Sequence, residues 1–237
     1  MTNIKCVIAA GGLGTRLQGF RQNNKTKILL EVNGLAMINQ QISQIKKWGI
    51  EEFIIITSPD FDLMIKDVTK KEFPNLKINY AVQDTPLGIS HAFSKAEIFT
   101  DNDDILLLVL GDNFFGGNPL QDINFKKFSE NKGSIIFTKE VTNPKEFGVA
   151  EVDDAGEVLF IDEKPENPSS NLAVVGLYIF DSSAMGKITK LSPSKRGEYE
   201  ITDLINLYIN EKKCKNVEIT GWWVDAVSYT HLRAHET

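Results

Sequence analysis

Ile4-Lys-Cys-Val-Ile-Ala-Ala10 runs directly into Gly11-Gly12-Leu13-Gly14-Thr15-Arg16-Leu17, and this junction decides the fold class. An apolar run broken only by Lys5 and ended by glycines reads as a strand buried on both faces. The pattern then repeats. Phe53–Thr57, Ile78–Val82 and Ile105–Leu110 are further β-branched or leucine-rich runs. Between them the spacing predicts helices over Met37–Trp48, Phe61–Lys71 and Ile89–Phe99. In the first of these, Ile38, Ile42, Ile45 and Trp48 form one stripe and Gly49 is a stop. Strands alternating with helices imply right-handed crossovers and a mostly parallel sheet.

After Gly111-Asp112 the rhythm changes. Ser134–Glu140, Phe147–Val152, Val158–Asp162 and Leu172–Phe180 read as strands with little helix between them, and Asp153-Asp154-Ala155-Gly156 has turn chemistry. Ile201–Glu211 returns to helix with Ile201, Leu204, Ile205 and Tyr208 inward. Val217–Ile219 and Trp222–Val224 are expected as the last strands. The expected fold is α/β: a Rossmann-like, mostly parallel central sheet flanked by helices, with an antiparallel-rich second part.

At 237 residues the chain can bury a core without disulfides or a structural metal. Its net charge of −6 argues against holding nucleic acid or anionic lipid through a general basic surface. Any phosphate must therefore be gripped by a few placed cations. Cys6 and Cys214 lie far apart, and two of the three histidines fall in the last seven residues, so neither a thiolate nor a histidine metal site is indicated. No apolar run is long enough to span a bilayer, and with no cationic n-region or cleavage site at the start, no leader is expected. A soluble, cytoplasmic protein is expected.

The glycine loop admits three readings. A dinucleotide fingerprint lacks its third glycine, because Leu17 stands there, and a P-loop lacks its Lys-Ser or Lys-Thr. A plain strand-to-loop turn also fits. Arg16, however, places a fork of donors inside a phosphate-sized loop, and Lys27 is a second candidate cation.

Gly11-Gly12-Leu13-Gly14-Thr15-Arg16-Leu17 followed by Lys27-Ile-Leu-Leu-Glu-Val resembles the G-G-x-G-T-R-L…K-P-L-L-P-V signature of sugar-1-phosphate nucleotidylyltransferases. Tyr80–Gly88 resembles their base-recognition segment and Leu110-Gly-Asp-Asn113 their metal-carboxylate loop. Phe147–Glu151, Glu163-Lys-Pro165, Asn171–Tyr178, Arg196–Asp203 and Gly221-Trp-Trp-Val-Asp225 resemble the remaining segments, in register. Gln83, Pro86 and Gly88, with Arg196-Gly-Glu-Tyr-Glu-Ile-Thr-Asp203, are most similar to the glucose-1-phosphate thymidylyltransferase branch. Ile28 and Glu31 depart from the signature near Lys27, and Gly34-Leu35-Ala36-Met37 lacks the usual Lys-Pro before Met. Val227–Thr237 matches nothing that precedes it and is expected to be a foreign or truncated tail.

The resemblance implies the nucleotide-diphospho-sugar transferase fold: one domain over 1–226, with a nucleotide-binding half to about 115 and a sugar-phosphate half beyond. It implies transfer of a nucleotidyl group from dTTP to glucose-1-phosphate with release of pyrophosphate, and Mg²⁺ held by Asp112 and Asp225. Gly11, Gly12, Gly14, Thr15, Arg16, Lys27, Gln83, Gly88 and Asp112 would hold the nucleotide. Asn113, Gly148, Glu163, Lys164, Val174 and Arg196 would hold the sugar phosphate. Arg16, Lys27 and Lys164 are the expected catalytic cations, and Gln83 is expected to read the base through one donor and one acceptor. Trp222-Trp223 is expected to pack rather than to stack on the base, and His91 to lie at the surface or behind the site. Members of that family are often homo-oligomers, and the sequence leaves the oligomeric state of this chain open. The same chemistry on UTP, CTP or another hexose-1-phosphate is the alternative, as is a nucleotide-sugar-binding module without turnover.

Overall fold

The computed structural model describes residues 3–11 and 26–225. In chain order the strands are β1 (Ile4–Ala9), β2 (Glu31–Val32), β3 (Leu35–Ala36), β4 (Glu52–Thr57), β5 (Lys77–Val82), β6 (Ile105–Leu110), β7 (Asn113–Phe115), β8 (Ser134–Glu140), β9 (Gly148–Val152), β10 (Val158–Glu163), β11 (Leu172–Asp181), β12 (Cys214–Glu218) and β13 (Trp223–Asp225). The α-helices are α1 (Met37–Lys47), α2 (Asp62–Glu72), α3 (Ile89–Ser94), α4 (Phe125–Asn131), α5 (Ser183–Ile188) and α6 (Ile201–Asn210).

Nine strands form one sheet, ordered β10-β9-β11-β6-β1-β4-β5, with β8 branching from β11 and carrying β12. The β6-β1-β4-β5 part is parallel throughout. β11 runs antiparallel to β6, β8 and β9. The mixed sheet is therefore the expected one, parallel in the first half and antiparallel-rich in the second.

Both faces are covered, which explains the unbroken apolar strands. Cys6 and Ile8 of β1 pack with Ile38, Ile42, Ile45 and Ile65 from α1 and α2. Val7 faces the other way, with Phe93, Met185, Leu204 and Tyr208 from α3, α5 and α6. Both cysteines are buried thiols, and burial pushes each above the ordinary thiol range. No helix of the described residues is long and apolar enough to cross a membrane.

Some elements differ from the sequence reading. The helix expected over Ile89–Phe99 is split: α3 stops at Ser94, and a 3-10 turn covers Glu97–Phe99. Lys95 and Ala96 donate to Ala92 O and Phe93 O, three residues back, so the chain tightens there. Asn124 caps the start of α4, its side chain accepting from Lys127 N. That helix, α5 and β7 have no counterpart among the expected elements. The short runs are too brief for periodicity to mark them.

Leu107 is fully buried in β6, between β1 and β11. Leu107→Ala should lower the free energy of unfolding by about 3 kcal/mol, because the central strand cannot collapse onto the cavity. Urea denaturation measures this, and an unchanged midpoint would contradict a close-packed centre there.

Candidate active site

Parallel strands ending at one edge leave a crevice beyond their carboxyl ends. Here it is a cleft of about 460 Å³ whose lining includes Ala9, Gly11, Lys27, Gln83, Gly88 and Asp112. β1, β5 and β6 thus deliver three of the predicted segments to one place. Gly12, Gly14, Thr15 and Arg16 lie outside the described residues, as does the tail 227–237.

At one wall, Asp112 follows β6. Lys27 Nζ donates to Asp112 Oδ2 at 3.1 Å and lies 3.9 Å from Asp225 Oδ1. The lysine side chain is 8% exposed, against 29% and 28% for the two carboxylates. Lys27 is held there by the 3-10 turn Lys27–Leu29, whose Ile28 and Leu29 are buried. Asp225 arrives through pairing of β13 with β7, directly opposite Asn113. Asp112 and Asp225 therefore meet at one lysine.

Asn113 was expected at the sugar, but it is 3% exposed. Its Nδ2 donates to Asp112 Oδ1 at 2.9 Å, and its Oδ1 accepts from Gly176 N at 3.1 Å and Trp223 Nε1 at 2.7 Å. Its amide is spent holding Asp112, so it is a positioning group rather than a lining one. β11 makes room with an irregularity between Val174 and Tyr178. A Cβ at Gly176 would fall 2.7 Å from Asn113 Cγ, so only glycine fits. Gln41 of α1 completes the clamp, its Nε2 donating to Leu110 O at 2.7 Å and Asn113 O at 3.0 Å. Gln44 Nε2 donates to Phe115 O at 2.6 Å.

The donor set suits a hard divalent cation. No cluster of three or more His, Cys, Asp or Glu that could hold a metal is found among the described residues. Two carboxylates are the protein's contribution, and Mg²⁺ is the ion commonly bound by one or two carboxylates plus phosphates and water.

At the other wall, Gln83 N donates to Thr57 O at 2.8 Å, carrying the β5 end into the cleft. The Gln83 side chain donates from Nε2 to Gly88 O at 3.1 Å, and Nε2 lies 3.0 Å from His91 Nδ1. A Cβ at Gly11 would stand 3.4 Å from Gln83 Oε1. The expectation that this amide offers both a donor and an acceptor to a base is thus corrected: the NH₂ is engaged inside the protein, leaving the oxygen. Gly88 has φ +99°, and a Cβ there would meet Tyr199 O at 2.7 Å. Tyr199 N donates to Leu87 O, and Ser90 N donates to Tyr199 O. The base segment is therefore stapled to the Arg196–Asp203 run.

The predicted sugar residues gather at the junction of β9, β10 and β11. Gly148 lies opposite Glu163 in register, and its missing Cβ would be 3.4 Å from Glu163 Oε2 and 3.7 Å from Val174 Cβ. Val174 itself is buried in the core. Thr202 Oγ1 donates to Glu163 Oε2 at 2.9 Å, fixing that carboxylate. Lys164 has φ +50°, and its N donates to Phe147 O at 3.0 Å. Its Nζ is 3.9 Å from Glu163 Oε1. Arg196 is tied up: Nε and Nη2 donate to the two oxygens of Glu200 at 3.1 and 2.8 Å. The Glu200 hydrogen bonds raise its pKa. Its Nη2 also lies 3.9 Å from Glu163 Oε1, which brings Arg196 to the other predicted sugar residues. Trp223 packs edge-on against Phe147 at 5.2 Å, and Trp222 is exposed beside Gly116. Neither stacks beside Gln83.

Gln41, Thr202 and Tyr199 were not singled out in the sequence. Gln41 carried a signal, a polar residue set among Ile38, Ile42 and Ile45 on the apolar stripe of α1. Gln41→Leu should leave secondary structure intact, lower stability by about 1–3 kcal/mol by stripping two buried carbonyls of their donor, and reduce turnover through a loosened Asp112. Circular dichroism, urea denaturation and steady-state rates measure the three effects, and unchanged turnover would contradict the clamp.

The family model described as Nucleotidyl transferase matches residues 5–232. A glucose-1-phosphate thymidylyltransferase of Neisseria meningitidis is 36% identical, over 98% of this chain and 81% of that protein. One of Xanthomonas campestris pv. campestris is 38% identical, over 100% of this chain and 80% of its own. A Bacillus anthracis structure, provisionally described as a glucose-1-phosphate thymidylyltransferase in complex with sucrose, superposes with TM-score 0.86 at 32% identity, covering 98% of this chain and 93% of that one. A UDP-glucose pyrophosphorylase complexed with UDP-glucose shares the fold at TM-score 0.79 and 24% identity. On a model match spanning nearly all its length and relatives above 30% identity, the chain belongs to the nucleotidyl transferase family.

Proposed function

We propose that this chain transfers the thymidylyl group of dTTP to glucose-1-phosphate, forming dTDP-glucose and pyrophosphate. The observation that carries the proposal is the meeting of Lys27, Asp112 and Asp225 at the edge of a cleft whose far wall presents Gln83 and Gly88. Relatives described by that activity, matched over most of both chains, support it.

In the proposed reaction an oxygen of the sugar phosphate attacks the α-phosphorus in line. A new P–O bond forms as the bond from the α-phosphorus to the bridging oxygen breaks, and pyrophosphate leaves with that electron pair. The nucleophile is already an anion, so no general base is required. The task is to bring two polyanions together and stabilise a crowded, negatively charged transition state. Lys27 would neutralise the α-phosphate region from its place in the cleft wall. Lys164 would hold the sugar phosphate, with Glu163 and the Gly148 backbone beside the sugar and Arg196 ordering the loop behind them. Arg16 and the Gly11–Thr15 amides would hold the β- and γ-phosphates. Asp112 and Asp225 would hold Mg²⁺, which when bound offsets charge on the triphosphate oxygens.

Gln83 Oε1 reads an imide edge that thymine and uracil share, so UTP is the natural competitor substrate. The buried thiols of Cys6 and Cys214 fit a reducing, cytoplasmic setting.

Pyrophosphate release across a panel of nucleoside triphosphates and hexose-1-phosphates tests the reading. The expected result is highest kcat/KM with dTTP and glucose-1-phosphate, and no turnover with any pair would refute it. Asp112→Asn should abolish Mg²⁺-dependent turnover while leaving the circular dichroism spectrum unchanged, since the carboxylate is part-exposed at the cleft rather than in the core. Arg16→Ala should slow turnover by about 10²–10³-fold, the usual worth of one placed donor to developing charge. Single-turnover rates measure both, and a near-full rate in either variant would overturn that residue's role.

A further inference from the structure

His91 lies on α3, behind the cleft wall, and the reaction proposed above gives it no part. Its Nδ1 is 3.0 Å from Gln83 Nε2. The same Nε2 donates to Gly88 O at 3.1 Å. A carbonyl oxygen can only accept, so the Gln83 NH₂ must face Gly88 and cannot be exchanged with Oε1. His91 Nδ1 then meets an N–H and must supply a lone pair, which makes the ring neutral with its proton on Nε2. Both Gln83 N–H groups are consumed, and Oε1 is left beside Gly11 in the lined cleft.

We propose that His91 is a positioning residue for base selection: by accepting from the Gln83 amide it locks Oε1 toward the nucleotide, so the site accepts from the N3–H of an imide base and opposes the lone pair at N3 of cytosine. The inference deepens the proposed nucleotidyl transfer and rests on that reading for its kinetic consequence.

The surroundings favour this state of the ring. Tyr199 stacks on His91 at 6.1 Å between centroids and 29° between planes. Ser94 Oγ donates to His91 O, fixing the start of the following turn. Burial, then Lys95 on the same helix, lower the His91 pKa from its ordinary value, against weaker opposing effects of the Thr85 backbone and Asp84. A lowered value keeps the ring neutral through the neutral range, and the charged form gains only on acidification. Once charged, Nδ1–H would face an N–H. Relief requires the Gln83 amide to turn, giving Oε1 to His91, breaking the bond to Gly88 O and aiming NH₂ into the cleft.

Two measurements decide the matter. ¹⁵N-histidine spectra of the full chain report the tautomer, with His91 assigned by its loss in His91→Asn. The expected result near pH 8 is a neutral ring protonated on Nε2; a ring protonated on Nδ1, or a charged one, overturns the proposal whatever the activity. The second measurement is the ratio of kcat/KM for dTTP to that for CTP, from about pH 8 to about pH 5. In a ratio, the titration of the sugar phosphate cancels. The wild-type ratio should fall on the acid side. His91→Phe should lower it about tenfold at pH 8, the worth of one net hydrogen bond, acting through KM for dTTP with kcat within about twofold. His91→Asn, which restores an acceptor that does not titrate, should recover the ratio and flatten its acid limb. A wild-type ratio with no acid fall, an unchanged ratio in His91→Phe, or a loss of kcat alone would overturn the positioning role. Absence of turnover with every nucleotide would instead refute the reaction, while the tautomer would still judge His91.

Discussion

Two carboxylates brought to one cation at the edge of one cleft repel each other, the more so the less water screens them. Lys27 resolves that conflict. Its ammonium sits within reach of Asp112 and Asp225, while its own side chain is almost entirely enclosed. An enclosed ammonium needs anionic partners as much as they need it. The arrangement also ties three remote parts of the chain together: the stretch after the glycine loop, the end of β6, and β13. The charges of the candidate site are therefore also charges that join the fold.

A second tier of polar contacts makes the first one stiff. Asn113 spends its side-chain amide on Asp112, Gly176 and Trp223, and Gln41 grips the backbone on both sides of Asp112. Each of these groups is buried, where an unmet hydrogen bond is costly. Asp112 consequently has little freedom of its own. Across the cleft Gln83 is handled the same way, with Gly88 O and His91 Nδ1 taking its two donors.

The strands were legible because burial on both faces writes long apolar runs, as in Ile105–Leu110 and Ile4–Ala9, and their alternation with helices dictated a parallel sheet. The site was legible where a residue type has few structural uses, as with Asp112 after a strand or Gly88 before a helix. What escaped was detail set by distant packing. Asn113 looks like any polar residue after an aspartate, and only the approach of β11 and Trp223 makes it a buried clamp. Arg196 reads as a cation for phosphate, yet Glu200 four residues on claims its fork. The short helices α4 and α5 gave too few turns to show a period.

β11 hydrogen-bonds with β6 of the parallel part and with β8 and β9 of the antiparallel part. One continuous ribbon thus joins the parallel and antiparallel parts, and bending it would break ladder bonds on either flank. A hinge between the two halves is therefore mechanically disfavoured. Any movement at the cleft falls to the connecting segments at its rim rather than to the sheet.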